Sequence, residues 1–164
     1  MTAIEKLTQL EETGKHVFHG SANGSIEILE PRQATHVPDL KDPTKSVPDG
    51  EPAVSATPYA DIATFRAMIN KGNIPFNHSS GFGMNSRGVK NFQVSSEKVL
   101  EELKDKKGFV YVFDKKEFKP YSRDGKIQKK SMEWRSHNPV KPIDIVEVSS
   151  EDLPPREKIK ITGQ

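Results

Sequence analysis

The sequence predicts an α+β domain, and three observations carry that reading. Phe109-Val110-Tyr111-Val112-Phe113 is an unbroken apolar run, the pattern of a central strand buried on both faces. Ile143 to Val148 alternates, and Arg123-Asp124-Gly125-Lys126 is a hairpin turn signal, so the C-terminal third reads as a strand meander. The helical patterns lie in the N-terminal two thirds and do not alternate with strands as a βαβ series would.

The elements follow in chain order. Residues 2–13 form a short helix: Thr2 and Glu5 have capping-box spacing, Ile4, Leu7 and Leu10 make a thin apolar stripe, and Gly14 can stop the helix in the left-handed conformation. A strand His16–His19 follows, then a turn at Asn23-Gly24, with apolar residues from Ile26 to Leu29 placed to pack under the strand. Residues 31–52 carry Pro31, Pro38, Pro43, Pro48 and Pro52, a density that blocks helix and ladder, so they read as a long exposed loop. Ala53–Thr57 resumes as a strand. Thr57-Pro58 looks like a helix start, Thr as N-cap and Pro at the first helical position. Ile62, Phe65 and Ile69 share one face through Asn70, and Gly72 ends the helix. Residues 72–92, rich in Gly, Asn and Ser, read as a second mobile loop. Ser95 or Ser96 caps a helix to about Lys106, with Val99, Leu100 and Leu103 inward. The strand at Phe109 comes next. Glu117–Tyr121 pairs through the 123–126 turn with a strand running through Glu133 and Trp134. The last ten residues are charged and read as a flexible tail. Residues 1–15, 16–153 and 154–164 are therefore expected as an N-terminal helix, a single domain and a tail.

Composition narrows the function classes. A chain of 164 residues is long enough for one domain with its own core. With 33% hydrophobic and 29% charged residues, that core should be modest and the loops long. The net charge of +2 is too mild to argue for nucleic acid by itself. The absence of cysteine excludes a disulfide framework and a thiolate zinc site. No apolar run approaches the roughly 20 residues of a membrane span. The start Met1-Thr2-Ala3-Ile4-Glu5 lacks the basic and apolar regions of a signal peptide, so a cytoplasmic protein is expected; a monomer is expected as well.

Three segments carry chemistry. Val17-Phe18-His19-Gly20-Ser21 ends a strand in a ring, a residue without a Cβ and a hydroxyl, so backbone can approach a flat ligand between two hydrogen-bonding groups. Ala53-Val54-Ser55-Ala56-Thr57-Pro58-Tyr59 leads from a strand into a helix. Met132-Glu133-Trp134-Arg135-Ser136 places a carboxylate beside an aromatic residue on a later strand. In this order the segments resemble the three motifs of the ADP-ribosyltransferase superfamily, in the version of poly(ADP-ribose) polymerases and diphtheria-type toxins. The resemblance spans roughly residues 16–150 as an order of elements, and about a dozen positions as motif. It implies a split antiparallel sheet with flanking short helices. It also implies NAD as substrate and transfer of ADP-ribose to a macromolecule, or hydrolysis of NAD.

The resemblance assigns roles. Breaking the nicotinamide–ribose bond builds positive charge on the sugar, as in glycoside hydrolysis, and a fixed carboxylate stabilises it. Glu133 would supply that carboxylate. His19 would hold a ribose hydroxyl, the Gly20 backbone the nicotinamide amide, and Ser21, Ser55 or Thr57 the remaining polar edges. Tyr59 or Phe82 would stack on the nicotinamide ring, Tyr59 being favoured. Two departures matter. Ser131 stands two residues before Glu133, where arginine-modifying transferases carry Glu or Gln. The hydroxyl-rich Ser55-Ala56-Thr57 belongs with one version of the family, His19 with another.

Plainer roles exist for each residue. His19 can cap a strand end, Thr57 a helix, Glu133 can be a surface carboxylate, and Trp134 a packing anchor. The alternatives are a catalytically inactive binding or accessory module on the same fold, and an RNA 2′-phosphotransferase-like enzyme. The latter would use the basic hairpin from Lys115 to Lys130, with Phe118 and Tyr121 to stack on bases. The mixed signs of Asp114, Glu117 and Asp124 favour a solvated hairpin instead. His16, His36, His78 and His137 lack metal-ligand spacing, so no metal is expected.

Overall fold

Helix α1 (Ala3–Glu12) starts as its sequence dictates: the Thr2 hydroxyl accepts from the Glu5 amide at 3.1 Å. Gly14, at φ +70°, turns the chain out of it. The computed structural model describes residues 1–39, 41–126 and 131–163.

Strand β1 (His16–Ser21) runs two residues further than expected, so His19, Gly20 and Ser21 are all within the strand. It pairs antiparallel with β7 (Lys107–Asp114), the central strand that the apolar run predicts; β10 (Asp144–Ser149) pairs with the other edge of β7. Alternation along β7 divides the interior. Val110 and Val112 face the larger cluster with Phe18, Phe65 and Phe92. Tyr111 and Phe113 face a smaller one with Val17, Leu29, Val54 and Phe118. The Tyr111 hydroxyl donates to the Asn23 carbonyl at 2.5 Å and accepts from the Ile26 amide at 3.1 Å, which pins the 23–26 turn.

The proline-rich stretch is not wholly an exposed loop. It contains a short ribbon, β2 (Thr35–His36) with β3 (Val47–Pro48), and it delivers Asp49 into a buried position. After it, β4 (Val54–Ala56) pairs with β9 (Trp134–Ser136), and β9 with β8 (Lys119–Pro120). This second sheet joins the first through one bridge, in which Phe18 and Thr57 exchange both backbone hydrogen bonds at 2.7 and 2.8 Å.

Helix α2 (Ala60–Met68) corrects the expected Thr57 cap and the expected end at Asn70. The bridge to Phe18 and the following proline both hold Thr57 extended. The helix starts at Ala60, whose amide donates to the Glu11 carboxylate of α1 at 2.6 Å. The end is early because the Asn70 and Asn73 side chains take the last-turn carbonyls of Arg66, Ala67 and Met68. All but two of its residues, Asp61 and Arg66, are buried, so α2 lies inside the domain rather than on one face of it. It reaches that depth through small residues. A Cβ on Gly20 would meet the Ala63 carbonyl oxygen and stand 2.5 Å from the Ala67 amide nitrogen, and one on Gly108 would strike the Ala67 carbonyl. Gly20 is thus required by close helix–strand approach.

The expected mobile loop 72–92 contains a β-hairpin, β5 (Ser80–Met84) with β6 (Lys90–Val94). Helix α3 (Glu97–Glu102) ends in a 3-10 turn at Asp105. The expected flexible tail is also ordered: β11 (Ile159–Ile161) adds parallel to β6 and buries Ile159. Between β7 and β9, the expected strand Glu117–Tyr121 shrinks to β8 behind a 3-10 turn at Lys115–Glu117, and Gly125 at φ +77° makes the expected turn. The partner strand expected before Glu133 lies partly outside the described residues. Among the described residues the fold is mixed α+β, with several small, mostly antiparallel sheets, and no helix is long and apolar enough to cross a membrane.

Candidate functional site

The cleft lies at the seam between the two sheets, beside the Phe18–Thr57 bridge. Strand β1 brings His19, β4 brings Ser55, and the residue before β9 is Glu133. Residues far apart in sequence become one hydrogen-bonded chain. The His19 Nδ1 lies 2.7 Å from the Ser55 carbonyl oxygen, and the Ser55 hydroxyl donates to Glu133 Oε2 at 3.0 Å. A carbonyl only accepts, so the proton of His19 sits on Nδ1, and Nε2 of the neutral ring is left as an acceptor. Burial holds the His19 pKa below its usual 6.5, against the pull of that hydrogen bond, and the charges of Arg66 and Arg32 lower it further. The ring is therefore neutral at pH 7.

Glu133 is held twice at one oxygen. Besides Ser55, the Arg135 Nε donates to Oε2 at 2.5 Å. Among the described residues, Oε1 takes no hydrogen bond. The Glu133 side chain is 35% exposed and the Arg135 side chain 4%, so the carboxylate has water access while its cation is buried. Arg135 is fixed in turn by the loop that precedes β4. Its guanidinium donates to the Asp49 carbonyl at 2.6 Å, stands 3.5 Å from the Asp49 carboxylate, and lies 3.6 Å above the Tyr121 ring. Asp49 also accepts from Arg123 at 3.1 Å and from the Tyr121 hydroxyl at 2.7 Å. The Arg123 bond, then that of Tyr121, outweigh burial and hold its carboxyl below the usual 3.8, while the same bond to Asp49 raises the Tyr121 pKa.

The cleft has a volume of about 340 Å³, and Gly20, Thr57, Phe82 and Met132 line it together with His19, Ser55 and Glu133. A second cleft of about 610 Å³ adjoins it and shares Gly20, Arg66 and Phe82. Both volumes are of the size of small-molecule sites. Ser21 lines the second cleft, not the first, and its hydroxyl accepts from the Asn23 amide. Tyr59 lines neither. It packs against the larger core cluster, with the Lys90 ammonium 4.7 Å from its ring centre. Phe82 is the aromatic ring at the junction.

Sequence reasoning missed Asp49, Arg66, Tyr121, Arg123 and Arg135 as parts of the site. The two-residue spacing of Glu133 and Arg135, which sets both on one face of a strand, was the available signal for Arg135. Nothing local marks Asp49, which sits among prolines 86 residues from the arginine it binds. Around the basic hairpin, Lys115 stacks on Trp134 at 4.5 Å and Arg123 is paired with Asp49; Lys129 and Lys130 lie outside the described residues. Compared with protein-family models, with curated proteins and with solved structures, the chain matches none.

Proposed function

We propose that this protein is an NAD-binding domain of ADP-ribosyltransferase type. It transfers ADP-ribose to a macromolecule or hydrolyses NAD, with Glu133 stabilising the transition state. The observation that carries the reading is the single chain of contacts from His19 through Ser55 to Glu133 along one cleft wall. The three motif segments have no local reason to meet there. In this reading the bond between the ribose C1′ and the nicotinamide nitrogen breaks, and its electron pair leaves with nicotinamide, which becomes neutral. The sugar is left oxocarbenium-like. The free Glu133 oxygen faces the developing charge, and the His19 Nε2 accepts from a ribose hydroxyl. Water or an acceptor hydroxyl or amine then bonds to C1′ and loses its proton. In this reading Phe82, which lines the cleft, stacks on nicotinamide, since Tyr59 does not line it.

One observation favours a second reading, a module that binds NAD without cleaving it. The Arg135 guanidinium pairs with Glu133 at 2.5 Å, and a carboxylate so neutralised stabilises a cation less. Titration of NAD followed by backbone amide shifts tests the binding that both share. Shifts at Gly20, Ser55, Thr57 and Phe82 are expected; shifts confined to other surfaces, or none at millimolar NAD, would refute it. Release of nicotinamide then separates the two.

A further inference from the structure

The second cleft differs from the first in its charge. Two cations line it, Arg66 from the last turn of α2 and Lys71 just beyond, and no carboxylate does. Among the described residues neither cation forms an ion pair. Both are exposed, so each holds its charge in water until an anion arrives. The rest of the lining is amide, hydroxyl and ring: Asn23, Ser80 and Phe82 among them. The Arg66 guanidinium lies 5.7 Å from the Phe82 ring centre, which sets a cation beside a flat apolar face.

A helix C-terminus at this cleft would ordinarily repel an anion. Here the carbonyls of Arg66, Ala67 and Met68 are covered by the side-chain amides of Asn70 and Asn73, at 2.9 to 3.0 Å. The negative end of α2 is thereby masked, and Arg66 projects positive charge over it. Its field also reaches His19, which places it between the two clefts.

We infer that the second cleft binds the nucleoside diphosphate half of its ligand, with Arg66 and Lys71 on the phosphates and the amide and hydroxyl groups of Asn23 and Ser80 beside the nucleoside. Where this meets the proposed function it rests on that reading, and it orients the dinucleotide: nicotinamide ribose at Glu133, pyrophosphate at Arg66, adenosine beyond. Guanidinium matches phosphate oxygens in pairs, which makes Arg66 the stronger contributor.

The test is calorimetric titration of the full chain with ADP, and separately with inorganic pyrophosphate. Wild type should bind ADP, more weakly as salt is raised. Arg66→Ala should weaken ADP about ten- to a hundredfold, the worth of a charge-assisted contact, and Arg66→Lys by less. Lys71→Ala should weaken it by a smaller factor. Both side chains are exposed, so the variants should melt with wild type, which shows that the loss is local. Glu133→Gln should bind ADP as wild type does. Unchanged ADP affinity in the Arg66→Ala, Lys71→Ala double variant would overturn the inference. So would pyrophosphate binding as tight as ADP, since the nucleoside would then add nothing. Arg66-dependent ADP binding in a protein that releases no nicotinamide would leave this inference standing and remove the enzymatic reading. Nicotinamide release with an ADP affinity indifferent to Arg66 would do the reverse.

Discussion

Replacing Arg135 by methionine removes the buried cation that ties the 31–52 segment to β9, just after Glu133. The side chain is 4% exposed, so methionine keeps much of its packing volume while deleting its charge and donors. Glu133 loses its 2.5 Å partner but is 35% exposed and regains water, so little stability is lost there. Asp49 is the costly partner, since its side chain is 7% exposed and its carbonyl loses a donor at 2.6 Å. Breaking a buried pair by removing one member costs about 3–5 kcal/mol. Asp49 keeps Arg123 and Tyr121, which places the loss at the low end, about 3 kcal/mol. A domain of this size loses roughly 2–4 °C per kcal/mol, so the melting midpoint should fall by about 6–12 °C. Thermal unfolding followed by circular dichroism at pH 7, with urea unfolding as a check on the slope, measures it. A loss under about 1 kcal/mol, the worth of an exposed ion pair, would mean that Arg135 does not anchor the segment.

Gly20→Ala should destabilise by about 3 kcal/mol or more, beyond ordinary overpacking, because the new methyl meets the α2 backbone, which cannot rotate away; a melt within error of wild type would contradict this. Asp49 has a lowered pKa in the folded state, so the unfolded chain takes up its proton first as pH falls. Its contribution is complete well above pH 3.8 and is lost as pH falls below that value through the lower folded pKa, and Asp49→Asn should remove that part of the acid limb in a stability–pH curve. His19 also has a lowered folded pKa, so its stability contribution is complete above pH 6.5 and declines as pH falls below it. The His19 ring should titrate below 6.5 by NMR, and a midpoint above that would contradict the half-buried, neutral ring. Deleting residues 155–164 should destabilise the domain through loss of the β11–β6 pairing and Ile159, which a melt measures against the full chain.

Much of the architecture is local and so was legible. The Thr2 cap, the apolar run of β7 and the alternation of β10 place three elements correctly. The misses have physical causes. The α2 start depends on the Glu11 carboxylate, 49 residues away, and no local pattern reports such a cap. Ser80–Met84 has two glycines that look like loop, yet their missing Cβ atoms suit a strand crossed by Gln93 and Asn91. Lys160 between two isoleucines looked like a charged tail; it became a strand because β6 had a free edge. At the site, the order of the three segments already put His19, Ser55 and Glu133 on one cleft; the particular hydrogen bonds that join them were not legible. Gly20 was visible as a close-approach position, and α2 adds a second reason for it by filling the space a Cβ would take. Asp49 and Arg135 owe their roles to burial, which a single sequence does not display.

The proposed activity is the binding and cleavage of NAD at the His19–Ser55–Glu133 cleft. The direct measurement is the rate of nicotinamide release from NAD by wild type and by Glu133→Gln, which keeps the shape and a hydrogen-bond acceptor but removes the charge. Wild type should release nicotinamide measurably, and the variant about a hundred- to a thousandfold more slowly. Equal rates in the two proteins, or none in wild type, would contradict the proposed activity.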